Sequence, residues 1–459
     1  MPTARVVLEP VQLRASRHAV AAFLLVLGLG SFTGASAQSL SDAYQAAHAY
    51  DATYLAARAN LDAAQLRYDQ ARGLRLPQVG LGVTGGRQLN SAPGSLTDSD
   101  NTTGITATLS ATQTIFNRPN DVTIQQAERT VDAFRSDLDA AEQDLILRVA
   151  QSYFDVLAAE DNLATARASQ TAISESVASA KRNFEVGTAT ITDTREAQAR
   201  YDLARFTQIQ AENDLTTKRI QLDQTIGRAG IVPLHLAVPL ALPPLTPSNV
   251  EDWVLRADSE HPAIRKARVA LDVARLDTDK ARAGRLPTLT LNGSYARGKG
   301  STSITVPGQS YAYTAPTTAS QIGVTLSMPI FAGFQIQNRI KETVVLEDKG
   351  LDDLEYARRG VALTTRQLFY VVGSTAAQVG ALEAAESSSK LALEATQLGF
   401  KVGVRVNIDV LNAQAQLYTT QAQLAKARYD LIMAGLRLRQ ASGQLNTQDV
   451  ADVNALLAR

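Results

Sequence analysis

The chain has 459 residues, and 45 Lys and Arg residues balance 45 Asp and Glu residues, so the formal net charge is zero. A chain without net positive charge gives no reason to expect nucleic acid as a partner. The absence of cysteine excludes a disulfide scaffold and thiolate metal sites. Hydrophobic residues make up 45% of the sequence but aromatic residues only 5%, and the frequent alanines indicate closely packed long helices rather than one thick core.

Residues 1–37 have the pattern of a secretory signal. Basic residues precede an apolar stretch from Ala19 to Leu29, and Ala35-Ser36-Ala37 offers a small-x-small cleavage site. The apolar stretch is shorter than the roughly 20 residues that a membrane-spanning helix needs, and no cysteine follows the cleavage site to carry a lipid anchor. We therefore expect a mature chain that leaves the cytoplasm without a transmembrane helix.

The two halves of the chain resemble each other. A shift of 210 residues places Ala71–Pro77 on Ala281–Pro287 with five of seven residues identical, and a shift of 216 places Phe184–Ala199 on Phe400–Ala415. Matches that keep one order over such distances indicate an internal repeat. We predict a first repeat over residues 38–226, a linker with five prolines over 227–249, a second repeat over 250–442 and an equatorial segment over 443–459.

Each repeat is predicted as helix, strand, loop, strand, very long helix, turn and helix. The apolar spacing from Asp121 to Asn183 predicts a rod of roughly 95 Å, since a helix rises about 1.5 Å per residue. Shorter flanking helices are predicted near 39–73, 190–226, 250–283 and 407–442. Partial alternation of apolar residues predicts strands within approximately 77–116 and 287–331. The polar stretches Leu89–Thr103 and Arg297–Thr317 are predicted as loops.

The predicted strands are about 10 residues long, the length that a tilted membrane strand needs. On the strand pattern alone, soluble hairpins fit equally well, but no ordinary single-core domain contains such long helices. Four strands are too few to close a membrane barrel, because unpaired backbone groups in lipid are costly and the smallest barrels have about eight strands. We therefore expect several copies to share one barrel above a helical tube.

Several separated motifs follow one another in the chain. They are Phe400–Gly403 followed by Asp409–Gln414, the partner motif Phe184–Gly187 with Thr192-Asp193, the strand entries Leu76-Pro77 and Leu286-Pro287, and the terminal Gly443–Asp449. Together these motifs resemble the TolC family of outer-membrane efflux and type I secretion channels. The resemblance implies a mainly α-helical chain with a membrane β-barrel. It implies two tandem repeats, four strands per protomer, a homotrimer with a 12-stranded barrel and a coiled-coil α-helical tunnel.

The resemblance also implies a function, a location and partners. The chain is expected to be the exit duct of tripartite efflux or type I secretion systems, gated at its periplasmic helix tips. It is expected in the outer membrane, in contact with lipid, with the helical tunnel in the periplasm. Its expected partners are a periplasmic adaptor and an inner-membrane transporter of the RND, ABC or MFS type, with no nucleic acid and no cofactor. The substrate, drug or exported protein, stays open.

The turns at Gly187 and Gly403 lie at the helix ends farthest from the strands. Glycine there is favoured because it adopts the left-handed geometry that ends a helix. The resemblance adds a second role that is compatible with the first. It makes Val186, Gly187, Val402 and Gly403 candidate contacts with the adaptor.

Four residues beyond these turns are candidates for the periplasmic gate: Arg405, Asp409, Thr192 and Asp193. The residues alone favour the interpretation that both aspartates stabilise helix starts, where the helix dipole attracts negative charge. The resemblance implies instead that these positions link neighbouring coiled coils, and that three copies of Asp409 form a constriction that attracts cations.

Two departures from the family pattern limit this interpretation. Asn412 stands where a second aspartate is expected, and Phe400 stands where a tyrosine is expected. The ring should therefore carry three formal charges instead of six, and no hydroxyl of residue 400 can bond at the Asp193 position.

Two other classes of protein fit the sequence less well than a channel does. An enzyme is not predicted, because His48, His235 and His261 are widely separated and no phosphate loop or nucleophile elbow is present. A periplasmic adaptor or a structural coiled coil would share the long helices. Adaptors have one helical hairpin, however, and this chain is predicted to have two.

Overall fold

The computed structural model describes residues 38–91, 99–237, 245–306 and 309–457. The predicted signal segment and part of the Pro-rich linker lie outside the described residues. The first repeat contains α1 (Leu40–Tyr50), α2 (Ala52–Arg72), β1 (Gln78–Ser91), β2 (Ser99–Phe116), α3 (Arg118–Glu185) and α4 (Ile191–Ile226). The second contains α5 (Val250–Glu260), α6 (Pro262–Ala283), β3 (Thr288–Val306), β4 (Gln309–Ser327), α7 (Gln335–Lys401) and α8 (Asn407–Ala441), and α9 (Thr447–Asn454) follows.

The long helices dominate the molecule. Helix α3 has 68 residues and α7 has 67, so each is about 100 Å long. Asn117 caps α3 by accepting a hydrogen bond from the backbone of Asn120, and Pro119 lies in its first turn, where a missing N–H has no cost. None of the helices in the described ranges is both long and apolar enough to cross a membrane.

The flanking helices near 39–73 and 250–283 were predicted as continuous, and this prediction is wrong. The first is interrupted at Asp51, whose carboxylate accepts a hydrogen bond of 2.8 Å from a backbone N–H three residues on and so begins a new helix. The second is interrupted at His261, because a residue before proline is forced out of helical geometry and Pro262 then begins α6.

The strands form one antiparallel sheet in the order β1-β2-β3-β4, so that β2 and β3 pair across the two repeats. The predicted loops Leu89–Thr103 and Arg297–Thr317 are wrong in extent. The β1–β2 ladder continues to the pair Ser91 and Ser99. The β3–β4 ladder likewise includes most of the second polar stretch. Ladder hydrogen bonds join backbone groups, and threonine suits a strand, so polar composition alone does not end the pairing.

The two repeats pack against each other through their long helices. Helix α3 contacts α6 and α8 of the second repeat as well as α2 and α4 of its own. The largest apolar cluster lies where the short helices α1 and α9 meet the middle of α3. Tyr153, Phe154, Leu222 and Leu445 are buried there. We call this cluster, in which two short helices pack against the middle of the long helices, the girdle.

A left-handed glycine ends the returning helix of each repeat. Gly227 has φ +73° after α4, and Gly443 has φ +73° after α8. A Cβ atom on Gly443 would lie 2.6 Å from the Cα atom of His261, and one on Gly227 would lie within 2.6 Å of the Tyr50 ring. Both positions therefore need glycine for the left-handed backbone and for close contact with the end of a short helix.

Candidate functional site

The two helix tips have the same backbone design. In the first, Thr188 and Ala189 donate their N–H groups to the carbonyl oxygen of Asn183; in the second, Val404 and Arg405 donate theirs to that of Gly399. Gly187 and Gly403 have φ +77° and +82°, with open space around a Cβ position. The shared pattern follows from the sequence repeat, since both turns close a long helix through a left-handed glycine.

The proposed adaptor contacts are exposed at these tips. The side chain of Val186 is 72% exposed and that of Val402 is 65% exposed. Val404, which follows Gly403 in the second tip, is 75% exposed, although the sequence analysis did not select it. Apolar residues grouped at the end of a rod, with no cover from their own chain, are typical of a surface that meets another protein.

The first returning helix begins with a complete capping box. Thr190 accepts a hydrogen bond from the N–H of Asp193, and the Asp193 carboxylate accepts bonds of 2.9 and 2.8 Å from the N–H and hydroxyl of Thr190. This is the structural role that the residues alone favour for Asp193. Thr192 lies in the same first turn and is exposed.

The second returning helix lacks this cap. Val406 holds the equivalent position, and its side chain accepts no hydrogen bond. Asp409 instead forms an ion pair with Arg405, with 3.6 Å between Nη1 and Oδ2. The side chain of Arg405 lies over Gly399. A Cβ atom on Gly399 would come within 2.8 Å of the Arg405 Cγ atom. The sequence analysis missed Gly399. The repeat could have indicated this residue, because the first repeat has Asn183 at the equivalent position.

The predicted gate residues fall in two stretches of the chain, 192–193 and 400–412, and within the described residues no hydrogen bond or ion pair joins the two stretches. Within the ranges that the structure describes, Arg405 pairs with Asp409, and Asp193 bonds to Thr190. Phe400 is half-buried in the last turn of α7. A link from Arg405 to Thr192 or Asp193 therefore stays a prediction for neighbouring copies of the chain.

Asn412 has a partner that the sequence analysis missed. Arg200 on α4 donates a hydrogen bond of 3.1 Å from Nη2 to the side-chain oxygen of Asn412 on α8. Leu411, the preceding residue, is only 1% exposed. No spacing pattern could have paired positions on two helices that belong to different repeats.

The sheet has one apolar face. The register places Leu81 opposite Leu109, Leu109 opposite Tyr295, and Leu291 opposite Val324. Because strand side chains alternate between faces, these residues share a face with Val79, Val83, Ile105, Leu289, Ile322 and Leu326. Leu81, Ile105, Ile322, Val324 and Leu326 are all more than half exposed. The opposite face carries Thr106, Thr108, Ser110, Asn292 and Ser294.

A four-stranded sheet with an apolar outer band, joined to rods of about 100 Å, defines the class of outer-membrane channels that extend into the periplasm. A family model described as outer membrane efflux protein matches residues 43–228 and 253–444. The chain belongs to this family.

Relatives and solved structures agree with this assignment. Over 430 residues the chain is 34% identical to "Outer membrane protein TolC" of Vibrio cholerae, covering 93% of this chain and 96% of the relative. It is 30% identical to "Alkaline protease secretion protein AprF" of Pseudomonas aeruginosa, covering 95% and 89%. The outer membrane protein VceC of Vibrio cholerae has the same fold, with a TM-score of 0.72, 18% identity and coverage of 88% of this chain and 96% of that chain. The MtrE channel of Neisseria gonorrhoeae, solved in its open state, has a TM-score of 0.70 with 20% identity, covering 89% and 90%.

These findings confirm four of the sequence predictions: the family, the fold class, the outer-membrane location and the role as an exit duct. The family is one of channel and transport proteins, and its channels work with inner-membrane transporters and adaptors.

Proposed function

We propose that three copies of the chain form one exit duct, in which twelve strands make a barrel and the helices make a tunnel across the periplasm. The observation that carries this proposal is the sheet. Within the described residues β1 and β4 are edge strands, and the exposed face is apolar. In lipid an unpaired edge leaves backbone groups unsatisfied, so β4 of one copy pairs with β1 of the next.

The duct receives substrate at the helix tips. There Val186, Gly187, Val402 and Gly403 contact a periplasmic adaptor, and an inner-membrane transporter of the RND, ABC or MFS type supplies the energy. Arg405, Asp409, Asn412, Thr192, Asp193 and Phe400 surround the entrance. The exposed valines and the uncapped start of α8 support this arrangement.

Fractionation and electrophysiology test the proposal. Expected results are a protein in the outer-membrane fraction, a trimer on gels that heating dissociates, and ion conductance after insertion of the purified trimer into planar bilayers. A soluble periplasmic protein without conductance would contradict the proposal and favour an adaptor or a structural coiled coil.

The adaptor contact has its own test. Substitution of Val186 and Val402 by aspartate should abolish recovery of the adaptor and transporter in a crosslinked copurification, whereas threonine, similar in shape, should weaken it less. The trimer should form in both variants, because both side chains are exposed. Full recovery with the aspartate variant would exclude this contact surface.

A further inference from the structure

All the basic residues of the four strands lie on the apolar face of the sheet. They are Arg87 on β1 and Arg297 and Lys299 on β3. The register pairs Arg297 with Ala107 and Lys299 with Ile105, and Arg87 follows the apolar face of β1 in steps of two residues. No acidic residue occurs in the parts of these strands whose side chains the structure describes, which are 78–89, 102–116, 288–304 and 309–327. The positive charge of this face is therefore not balanced within those strand segments.

Gly298 fixes the face on which the two cations of β3 lie. It is buried on the opposite face, where a Cβ atom would lie 2.6 Å from the Thr106 Oγ1 atom and 3.1 Å from the Thr317 Oγ1 atom. A shift of β3 by one residue would exchange its two faces, and Arg297 or Lys299 would then have to enter this narrow space. The register therefore keeps both cations away from the face that carries the threonines.

Arg297 and Lys299 are both exposed. Within the described ranges, neither side chain forms a hydrogen bond or an ion pair. Their cross-strand neighbours on β4, Thr318 and Pro316, carry no charge. The Cα atoms of the two cations are about 7 Å apart, since they are separated by two positions on one strand. Like charges at this distance repel each other, so an anion beside both of them is stabilising.

The two cations lie at the outer border of the apolar band. The helices join the sheet at the end that holds Leu289, so the opposite end of each strand points away from the periplasm. With about 3.4 Å per residue and a strand tilt of about 40°, Arg297 and Lys299 lie roughly 21 and 26 Å from Leu289 along the barrel axis. The apolar band of an outer-membrane barrel is about 25 Å tall and is bordered by aromatic residues. Tyr295, 49% exposed, precedes the cations on this face, which places the pair at the depth of the lipid headgroups.

We propose that Arg297 and Lys299 bind the phosphate groups of lipids in the outer leaflet of the membrane. This inference rests on the trimeric barrel proposed above, because closure of the barrel places the apolar face in lipid. A guanidinium binds two oxygens of one phosphate, and an ammonium adds a compact positive charge. Apolar residues nearer the helices, such as Leu109, contact the acyl chains of the same lipid. Each copy of the chain contributes one such site to the circumference of the barrel.

Native mass spectrometry of the purified trimer tests the site, with lipid A, a bisphosphorylated glycolipid, as the probe in detergent. The wild type should bind lipid A, and removal of the phosphate groups from the lipid should weaken binding roughly thirtyfold, since two cations near an anionic surface contribute about this factor. Arg297→Gln together with Lys299→Gln should weaken the binding of intact lipid A by the same factor. Raised salt should weaken binding to the wild type much more than binding to the glutamine variant.

Two further variants serve as controls, each compared at the same amount of heat-dissociable trimer. Arg195→Gln with Lys401→Gln removes two exposed cations at the helix tips, far from the sheet, and should leave the binding of lipid A unchanged. Arg297→Lys with Lys299→Arg keeps both charges and should retain most of the binding.

The outcomes separate the lipid site from the channel. If the wild type forms no trimer, the proposed function is wrong. If the trimer forms but the glutamine variant binds lipid A as tightly as the wild type, or both forms of the lipid bind equally, the site is excluded and the channel stands. Displacement of lipid A by an equal concentration of inorganic phosphate would also exclude a lipid site. The comparison of the two lipids needs only the wild type, so it decides even if the glutamine variant does not assemble.

Discussion

Tyr429 on α8 donates its hydroxyl hydrogen to the Asp161 carboxylate on α3, with 2.6 Å between the two oxygens. The bond joins the two repeats inside the girdle, where the Tyr429 ring also packs 5.7 Å from that of Phe154. Burial, reinforced by the bond to Asp161, raises the pKa of the Tyr429 hydroxyl far above its ordinary value. The hydroxyl therefore stays a donor at any physiological pH.

Tyr429→Phe should lower the temperature at which heating dissociates the trimer. The substitution keeps the ring but removes a bond to a charged group, which is worth about 1–2 kcal/mol in a half-buried setting. Tyr418→Phe is the matched control on the same helix, because the described residues contain no hydrogen-bond partner for its hydroxyl. Equal effects of the two substitutions would contradict the importance of the Asp161 bond.

Glycines with similar backbone geometry should differ in their tolerance of a methyl group. Gly403→Ala meets only the left-handed backbone, which costs about 1 kcal/mol. Gly443→Ala also forces a Cβ atom to within 2.6 Å of the His261 backbone, so the helix end must move and the cost should be several times larger. The amount of trimer in the outer membrane measures the difference. Similar yields would mean that the contact with His261 relaxes without cost.

Arg405→Ala should raise the single-channel conductance. The Arg405 side chain is 61% exposed in its ion pair, and exposed pairs contribute only about 0–1 kcal/mol each. The increase in conductance should therefore be modest, with a contribution from each of the three copies. Lys401→Ala, an exposed cation of the same tip without a partner in the described ranges, is the control. An unchanged conductance in Arg405→Ala would remove this residue from the gate.

Asp409→Ala should weaken the block of the channel by multivalent cations. Three carboxylates around an axis attract such ions, although each carboxylate also faces its own Arg405. Titration of the current with a trivalent cation measures the block. The same half-blocking concentration in the variant and the wild type would place Asp409 away from the constriction.

The stability of the protein should fall in mild acid because of His261. Its Nδ1 atom accepts a hydrogen bond of 3.1 Å from the N–H of Ala263 at the start of α6, which requires a neutral ring nitrogen. Burial, and then the charge of Arg265, holds the pKa of the His261 imidazole below its ordinary value, which is about 6.5. The stabilisation is complete above that ordinary value and is lost as the pH falls through the lower, folded value.

His261→Asn tests this prediction. Asparagine also caps a helix start but does not titrate, so the dissociation temperature of the variant should decrease less between neutral pH and about pH 5. Carboxylates contribute equally to both proteins, and the difference between the two curves isolates the histidine. Parallel curves would contradict the assignment.

The sequence was sufficient to predict the architecture, because both repeats carry the same signals for strands and turns. Leu76-Pro77 and Leu286-Pro287 predicted where the strands begin, and Gly187 and Gly403 predicted where the long helices turn. The helix interruption at Asp51 was missed because an aspartate within a helical pattern is only a weak signal. The interruption before Pro262 was missed as well, although a proline is a strong signal for a helix boundary. Contacts between hairpins, such as that of Arg200 with Asn412, depend on how the helices pack, and no periodic pattern in the sequence indicates them.

The packing of α3 against α6 and α8 has a consequence for assembly. Because the linker joins the repeats, that contact forms within one chain and does not depend on protein concentration, whereas each contact between copies does. In a single folded chain one side of α7 is therefore uncovered and apolar, since Leu363 is 57% and Tyr370 is 65% exposed there. An uncovered apolar surface favours aggregation, so assembly of the proposed trimer should compete with aggregation when the chain is synthesised rapidly.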